Sequence, residues 1–215
     1  MTNDRGRSPA DDRVTNDRVT NDRESPMAVS STETMPLGTA APPFSLTEVS
    51  DGSTVTLAEV SDGPALVVAF LCRHCPYVKH VEHAFAQLAT TYQQQGVRFV
   101  GISANDPQLS PDDAPGSLAE QKQQVGFTFP YLFDADQSVA AAYGAVCTPD
   151  VFVFDAATEL AYRGRIDATR PGQGEASGDE LAAVLDVLLK GEEPPADHPP
   201  SMGCSIKWSP GNEPN

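Results

Sequence analysis

Ala65-Leu66-Val67-Val68-Ala69-Phe70-Leu71-Cys72-Arg73-His74-Cys75-Pro76-Tyr77-Val78 joins a continuous apolar run, two cysteines two residues apart, and the start of a different periodicity. The apolar run has strand length and is β-branched at its centre, which predicts a strand buried on both faces. After Pro76, apolar residues recur at Val78, Val81, Phe85, Leu88 and Tyr92, spaced by three and four, while Lys79, Glu82, His83, Gln87 and Gln94 fall elsewhere on the wheel. That is an amphipathic helix, stopped near Gly96. Pro76 in its first turn removes at most one helix hydrogen bond. The cysteines therefore lie where a central strand hands over to a helix.

A helix N-terminus carries unpaired N–H groups and the positive end of the helix dipole, both of which favour a thiolate over a thiol. On this reading Cys72 is the more acidic sulfur and attacks. Cys75, one turn on, resolves the mixed disulfide. Arg73 and His74 add positive charge beside the sulfurs, which makes such a disulfide more oxidising. His74 either pairs with the Cys72 thiolate or stands as an exposed imidazole. His80 and His83 belong to the solvent face of the helix, turned away from the cysteines, so no Cys₂His₂ metal site is expected. Neither a metal nor a cofactor is called for.

Val97 to Ser103 alternates and then runs apolar, giving a second strand and closing a βαβ unit with a right-handed crossover. Asp106 to Gly116, rich in Pro and Asp, is read as a solvated loop, with a place on the rim of the site as the alternative. Ser117-Leu118-Ala119-Glu120 matches a capping box opening a short helix that Gly126 ends. Tyr131 to Phe133 is a short strand, and Ser138 to Tyr143 a short helix. Val151 to Asp155 and Leu160 to Ile166 form an antiparallel hairpin. A last helix runs from about Asp179 to Lys190, with Leu181, Val184, Leu185, Leu188 and Leu189 inward. The fold class is α/β, a mixed central sheet with helices on both faces.

From Pro36 to Lys190 the chain resembles the thioredoxin-like superfamily, in particular its redoxin branch of alkyl hydroperoxide reductase and thiol-specific antioxidant proteins. Ala41 to Leu46 with Asp51 to Leu57, resembling the branch's opening hairpin, the Cys72–Cys75 pair, and Cys147-Thr148-Pro149 carry the likeness. The resemblance implies a cis peptide bond before Pro149, packed against the cysteine pair, with the Thr148 backbone pairing with a substrate chain. Two departures bear on activity. Cys72 stands where peroxide-reducing relatives keep a Thr or Ser three residues before the reactive cysteine. Leu71 and Leu66 replace the Trp and the buried acid of thioredoxin, which leaves proton transfer to His74 or another group.

Two thiols lie outside the pair. Cys147, before the Thr-Pro loop, is read as a small buried residue, with a mixed disulfide as the alternative. Cys204 lies in Met202-Gly203-Cys204-Ser205-Ile206-Lys207-Trp208, beyond a Pro-rich stretch from Pro194 to Pro200. This segment resembles the tails of relatives that carry a Cys-Pro-Tyr motif. Docking through Ile206 and Trp208, the only Trp, would bring Cys204 to the site as an extra resolving thiol.

The expected organisation is a polar, disordered leader over 1–36, a redoxin domain over 37–191 and a tail over 192–215. Thr-Asn-Asp-Arg occurs three times in the leader, which has no apolar stretch of signal-peptide length, and Met27 is a possible start. No stretch approaches the roughly 18 apolar residues of a membrane helix. Thirty carboxylates against fourteen cations give a net charge of −16. That argues against nucleic acid and anionic membranes as partners and fits a salt-loving protein. A cytoplasmic setting is expected, where a disulfide is catalytic or transient. The expected function is thiol–disulfide exchange on a protein or small-molecule disulfide, with thioredoxin or a low-molecular-weight thiol as reducing partner. Peroxide reduction through the same cysteines is the alternative, and a non-catalytic metal-binding module a second one.

Overall fold

A computed structural model of the chain describes residue 1, residues 28–30 and residues 35–213. The leader repeats and Met27 lie outside these described residues.

The strand read at 65–71 is the spine of the fold. β4 (Ala65–Phe70) is buried at every position. It pairs in parallel with β5 (Arg98–Ser103) on one side and antiparallel with β8 (Asp150–Asp155) on the other. β6 (Tyr131–Phe133) continues the sheet in parallel beyond β5. The hairpin β2 (Ser45–Glu48) and β3 (Thr54–Thr56) closes that edge, and β9 (Leu160–Gly164) closes the other. The seven-stranded order is β3-β2-β6-β5-β4-β8-β9.

Because side chains alternate across a strand, β4 feeds two cores. Val67, Ala69 and Leu71 join one cluster with α2 (Pro76–Gln93), α3 (Pro115–Val125) and α5 (Asp179–Leu189). Leu66, Val68 and Phe70 join the other, with α1 (Leu57–Val60) and α4 (Ser138–Tyr143). The helices cover both faces, as the α/β reading expects.

Two local expectations are corrected. The capping box at Ser117 and Glu120 does not form, because α3 opens earlier, at Pro115. Proline's preset φ and missing N–H suit it to the first helical position, so Ser117 lies inside the first turn. A capping box forms instead at Thr56 and Glu59 of α1. Residues 106–116 are not a solvated loop throughout, since Ser110 and Asp113 are buried.

A second sheet of three strands has the order β1-β10-β7, formed by β1 (Ala28–Ser30), β10 (Met202–Ser205) and β7 (Cys147–Thr148). The C-terminal segment therefore packs on the domain. Ile206 is buried, and Trp208 packs against the α1 and α4 core.

Candidate active site

The sulfur at the helix N-terminus is Cys75, not Cys72. α2 begins at Pro76, so Cys75 is its N-cap residue, in extended conformation at φ −70° and ψ 125°. The neighbouring Cys204 and Cys72 thiols, with the backbone N–H groups of Val78 and Cys204, pull the Cys75 pKa far below the ordinary thiol value despite burial. Sγ also lies 3.2 Å from Thr148 O, a contact that suits the thiol.

Cys72 sits in the loop before the cap. Burial pushes its pKa up, and contact with Cys75 and the nearby Asp113 carboxylate push it further. Its Sγ lies 3.0 Å from Thr148 Oγ1, and Gln121 Nε2 donates to its carbonyl at 3.3 Å. The helix dipole therefore acts at Cys75, the cap, and Cys72 precedes it.

Asp113 organises this loop, and sequence reading missed it. One carboxylate oxygen accepts the backbone N–H groups of Arg73 at 2.6 Å and His74 at 3.2 Å. The other is paired with His74 Nδ1 at 2.5 Å, Ser110 Oγ at 2.6 Å and Asn105 Nδ2 at 2.8 Å. Burial alone would raise its pKa, but the hydrogen bonds from His74 and Ser110 and the charge of His74 outweigh it and leave the carboxyl at about 2. The expected cationic surround is correspondingly weaker. His74 is paired with Asp113, and the Arg73 guanidinium turns to α3, meeting Glu120 Oε2 and Ser117 O at 2.9 Å.

Thr148 and Pro149 face the cysteines, and the peptide bond between them is cis. β10 lies antiparallel along Cys147 and Thr148 with Cys204 opposite Thr148. Cys72, Cys75 and Cys204 share one buried cluster. Cys147 is buried too, its thiol directed at Pro149 O at 3.9 Å. His80 is removed from the cysteines and meets Thr169 Oγ1 at 2.8 Å. Beside the site opens a cavity of about 70 Å³, lined among others by Tyr77, His80, Pro149, Arg165 and Arg170. Ligand atoms of Cys72, His74 and Asp113 lie within 4.8 Å of one another, a sulfur, nitrogen and oxygen set able to hold a cation.

A central strand delivering a cysteine pair to a helix N-terminus, opposite a cis Thr-Pro bond on the neighbouring strand, defines a thioredoxin-like protein. Residues 37–163 match the model of the AhpC/TSA family, and the chain belongs to that family. Among solved structures it is similar to an uncharacterized conserved protein from Geobacillus kaustophilus, at 46% identity and a TM-score of 0.83, covering 86% of this chain and 97% of that one. A thiol:disulfide interchange protein of the thioredoxin family from Chlorobium tepidum shares the fold at 22% identity and a TM-score of 0.57, over 72% of this chain and 99% of that one. Among curated proteins it resembles the thiol-disulfide oxidoreductase ResA of Halalkalibacterium halodurans, 24% identical over 51% of this chain and 58% of that protein. A Mycobacterium tuberculosis protein whose name calls it a peroxiredoxin is 31% identical over 50% of this chain and 63% of that one. The chain thus matches less than two thirds of the length of these two relatives.

Proposed function

We propose that this protein is a thiol–disulfide oxidoreductase in which Cys75 attacks and Cys72 resolves. The observation that carries the reading is the position of Cys75 as the N-cap of α2, in one buried cluster with Cys72 and Cys204. In the reduced protein the Cys75 thiolate attacks one sulfur of a substrate disulfide. A bond forms between them, and the other substrate sulfur leaves as a thiolate. Cys72 then gives up its proton, which the substrate thiolate already released can take up. The Cys72 sulfur attacks Cys75 Sγ, and the second substrate thiol is released. Two electrons pass to the substrate, and a thiol reductant of the thioredoxin or low-molecular-weight class restores the pair.

Thr148 supports the same reading, since it contacts both sulfurs, and Pro149 beside it lines the neighbouring cavity. Thr148 Oγ1, 3.0 Å from Cys72 Sγ, positions Cys72.

Peroxide reduction is the second reading, favoured by the complete burial of both sulfurs, which a small oxidant penetrates more readily than a protein disulfide. Cys75 would take one peroxide oxygen as a sulfenic acid, release water or an alcohol, and lose a second water on condensing with Cys72. Stopped-flow mixing of the reduced protein with hydrogen peroxide, beside an insulin-reduction assay, separates the two. Insulin reduction lost in Cys75→Ser is expected, with slow peroxide consumption. Rapid peroxide consumption that needs Cys75, without insulin reduction, would overturn the first reading.

A further inference from the structure

We infer that Cys204 is a third redox thiol, which exchanges onto Cys75, and that strand β10 lies as a built-in substrate along the Thr148 edge. The inference rests on the function proposed above.

The tail is held in a fixed register rather than draped over the site. Cys204 stands opposite Thr148 and Ser205 opposite Cys147, and Ile206 N donates to Val146 O at 3.0 Å. On its far side β10 pairs with β1, Ala28 opposite Cys204. Gly203 is the residue that permits this approach, because a Cβ there would lie 1.9 Å from Thr148 O. Beyond Cys204 the chain is tied down again. Lys207 N donates to Asn105 Oδ1 at 2.8 Å, and Lys207 O accepts from Gln137 Nε2 at 2.9 Å. Asn105 also holds Asp113, so the tail is linked to the group that fixes His74.

This anchoring sets Cys204 opposite Thr148, whose carbonyl lies 3.2 Å from Cys75 Sγ and whose hydroxyl lies 3.0 Å from Cys72 Sγ, so the three cysteines share one buried cluster. Cys75 therefore has two thiol partners. The contact with Cys75 and burial both raise the Cys204 pKa, so Cys204 holds its proton while Cys75 is the thiolate. Oxidation of Cys75 removes the first of these two causes, and burial remains.

The exchange needs no further oxidant. Starting from the Cys72–Cys75 disulfide, Cys204 loses its proton and attacks Cys75 Sγ. The Cys75–Cys204 bond forms as the Cys72–Cys75 bond breaks, and Cys72 leaves as a thiolate that takes up the proton. The product has its tail bonded across the site. A substrate strand can use Thr148 only when β10 has lifted, so this oxidised form is closed to new substrate until it is reduced.

Trypsin places the four cysteines in separate peptides, 24–73, 74–79, 123–163 and 191–207, so each linkage is read directly. The full-length protein is reduced, treated with one equivalent of oxidised glutathione, quenched in acid, alkylated, digested and mapped by mass spectrometry. Peptide 74–79 joined to 191–207 is expected in the wild type, and as the only linkage of 74–79 in Cys72→Ser. Wild type joining 74–79 to 24–73 alone, with a lasting glutathione adduct on Cys75 in Cys72→Ser, would overturn the inference and leave the proposed function standing. No disulfide of any kind on Cys75 would overturn both.

Discussion

The chemistry at the smallest scale is set by which residue caps α2. Cys75 is that residue, and the neighbouring Cys204 and Cys72 thiols pull its pKa down. Thiolate absorbance in the ultraviolet should therefore persist at about pH 5, well below the ordinary thiol range. It should vanish in Cys75→Ser and survive in Cys147→Ser. Asp113 gives a second pH prediction. Its folded pKa of about 2 lies below the ordinary 3.8, so it stabilises the fold above that value and loses this contribution as pH falls towards 2. Asp113→Asn should flatten acid unfolding over that window and slow disulfide exchange about tenfold or more by freeing the Arg73–His74 loop and the His74 ring. The spacing of the cysteines is plain in the sequence, but which of them caps α2 was not read from it. The signal that places the cap lay in Pro76, because proline favours the first helical position and makes the residue before it the cap. Asp113 gave no such signal. It reaches Arg73 across 40 residues of chain from a loop without periodicity.

Among the elements, β10 is the one that sequence patterning described least well. Met202 to Ser205 has neither the length nor the alternation of a strand, and its pairing depends on an approach that only glycine allows. The apolar Ile206 and Trp208 nevertheless pointed to docking. Gly203→Ala forces a methyl against the Thr148 carbonyl, so β10 must shift. The expected cost is about 1–3 kcal/mol by thermal or denaturant unfolding, with faster tryptic cleavage after Lys207. An unchanged cleavage rate would contradict the close pairing. The central strand and α2 behaved oppositely. Their apolar patterns are long and continuous, and the structure places Val78, Val81, Phe85, Leu88 and Tyr92 in the core as the periodicity predicts.

Across the whole molecule, β4 serves two cores at once, so the fold depends on what seals the sheet beside the site. Asp150, next to Pro149, is fully buried and bound by Arg163 Nη2 at 2.8 Å. Burial raises the Asp150 pKa against the pull of Arg163, and the guanidinium also lies over the Phe152 ring at 4.6 Å. Arg163→Ala would strand that carboxyl in an apolar setting, and a loss of about 3–5 kcal/mol in denaturant unfolding is expected. The net charge of −16 acts over the entire surface. Its self-repulsion is screened by salt, so the melting temperature should rise with potassium chloride, and a flat response would contradict this account.

The central claim, that Cys75 attacks a disulfide, is tested most directly by trapping the covalent intermediate. In Cys72→Ser/Cys204→Ser neither neighbouring thiol can resolve a mixed disulfide, so reduced protein mixed with insulin should accumulate an insulin chain bonded to peptide 74–79. Cys75→Ser should trap none. An adduct that forms through Cys72 in Cys75→Ser, with none on Cys75 in the double variant, would contradict the assignment.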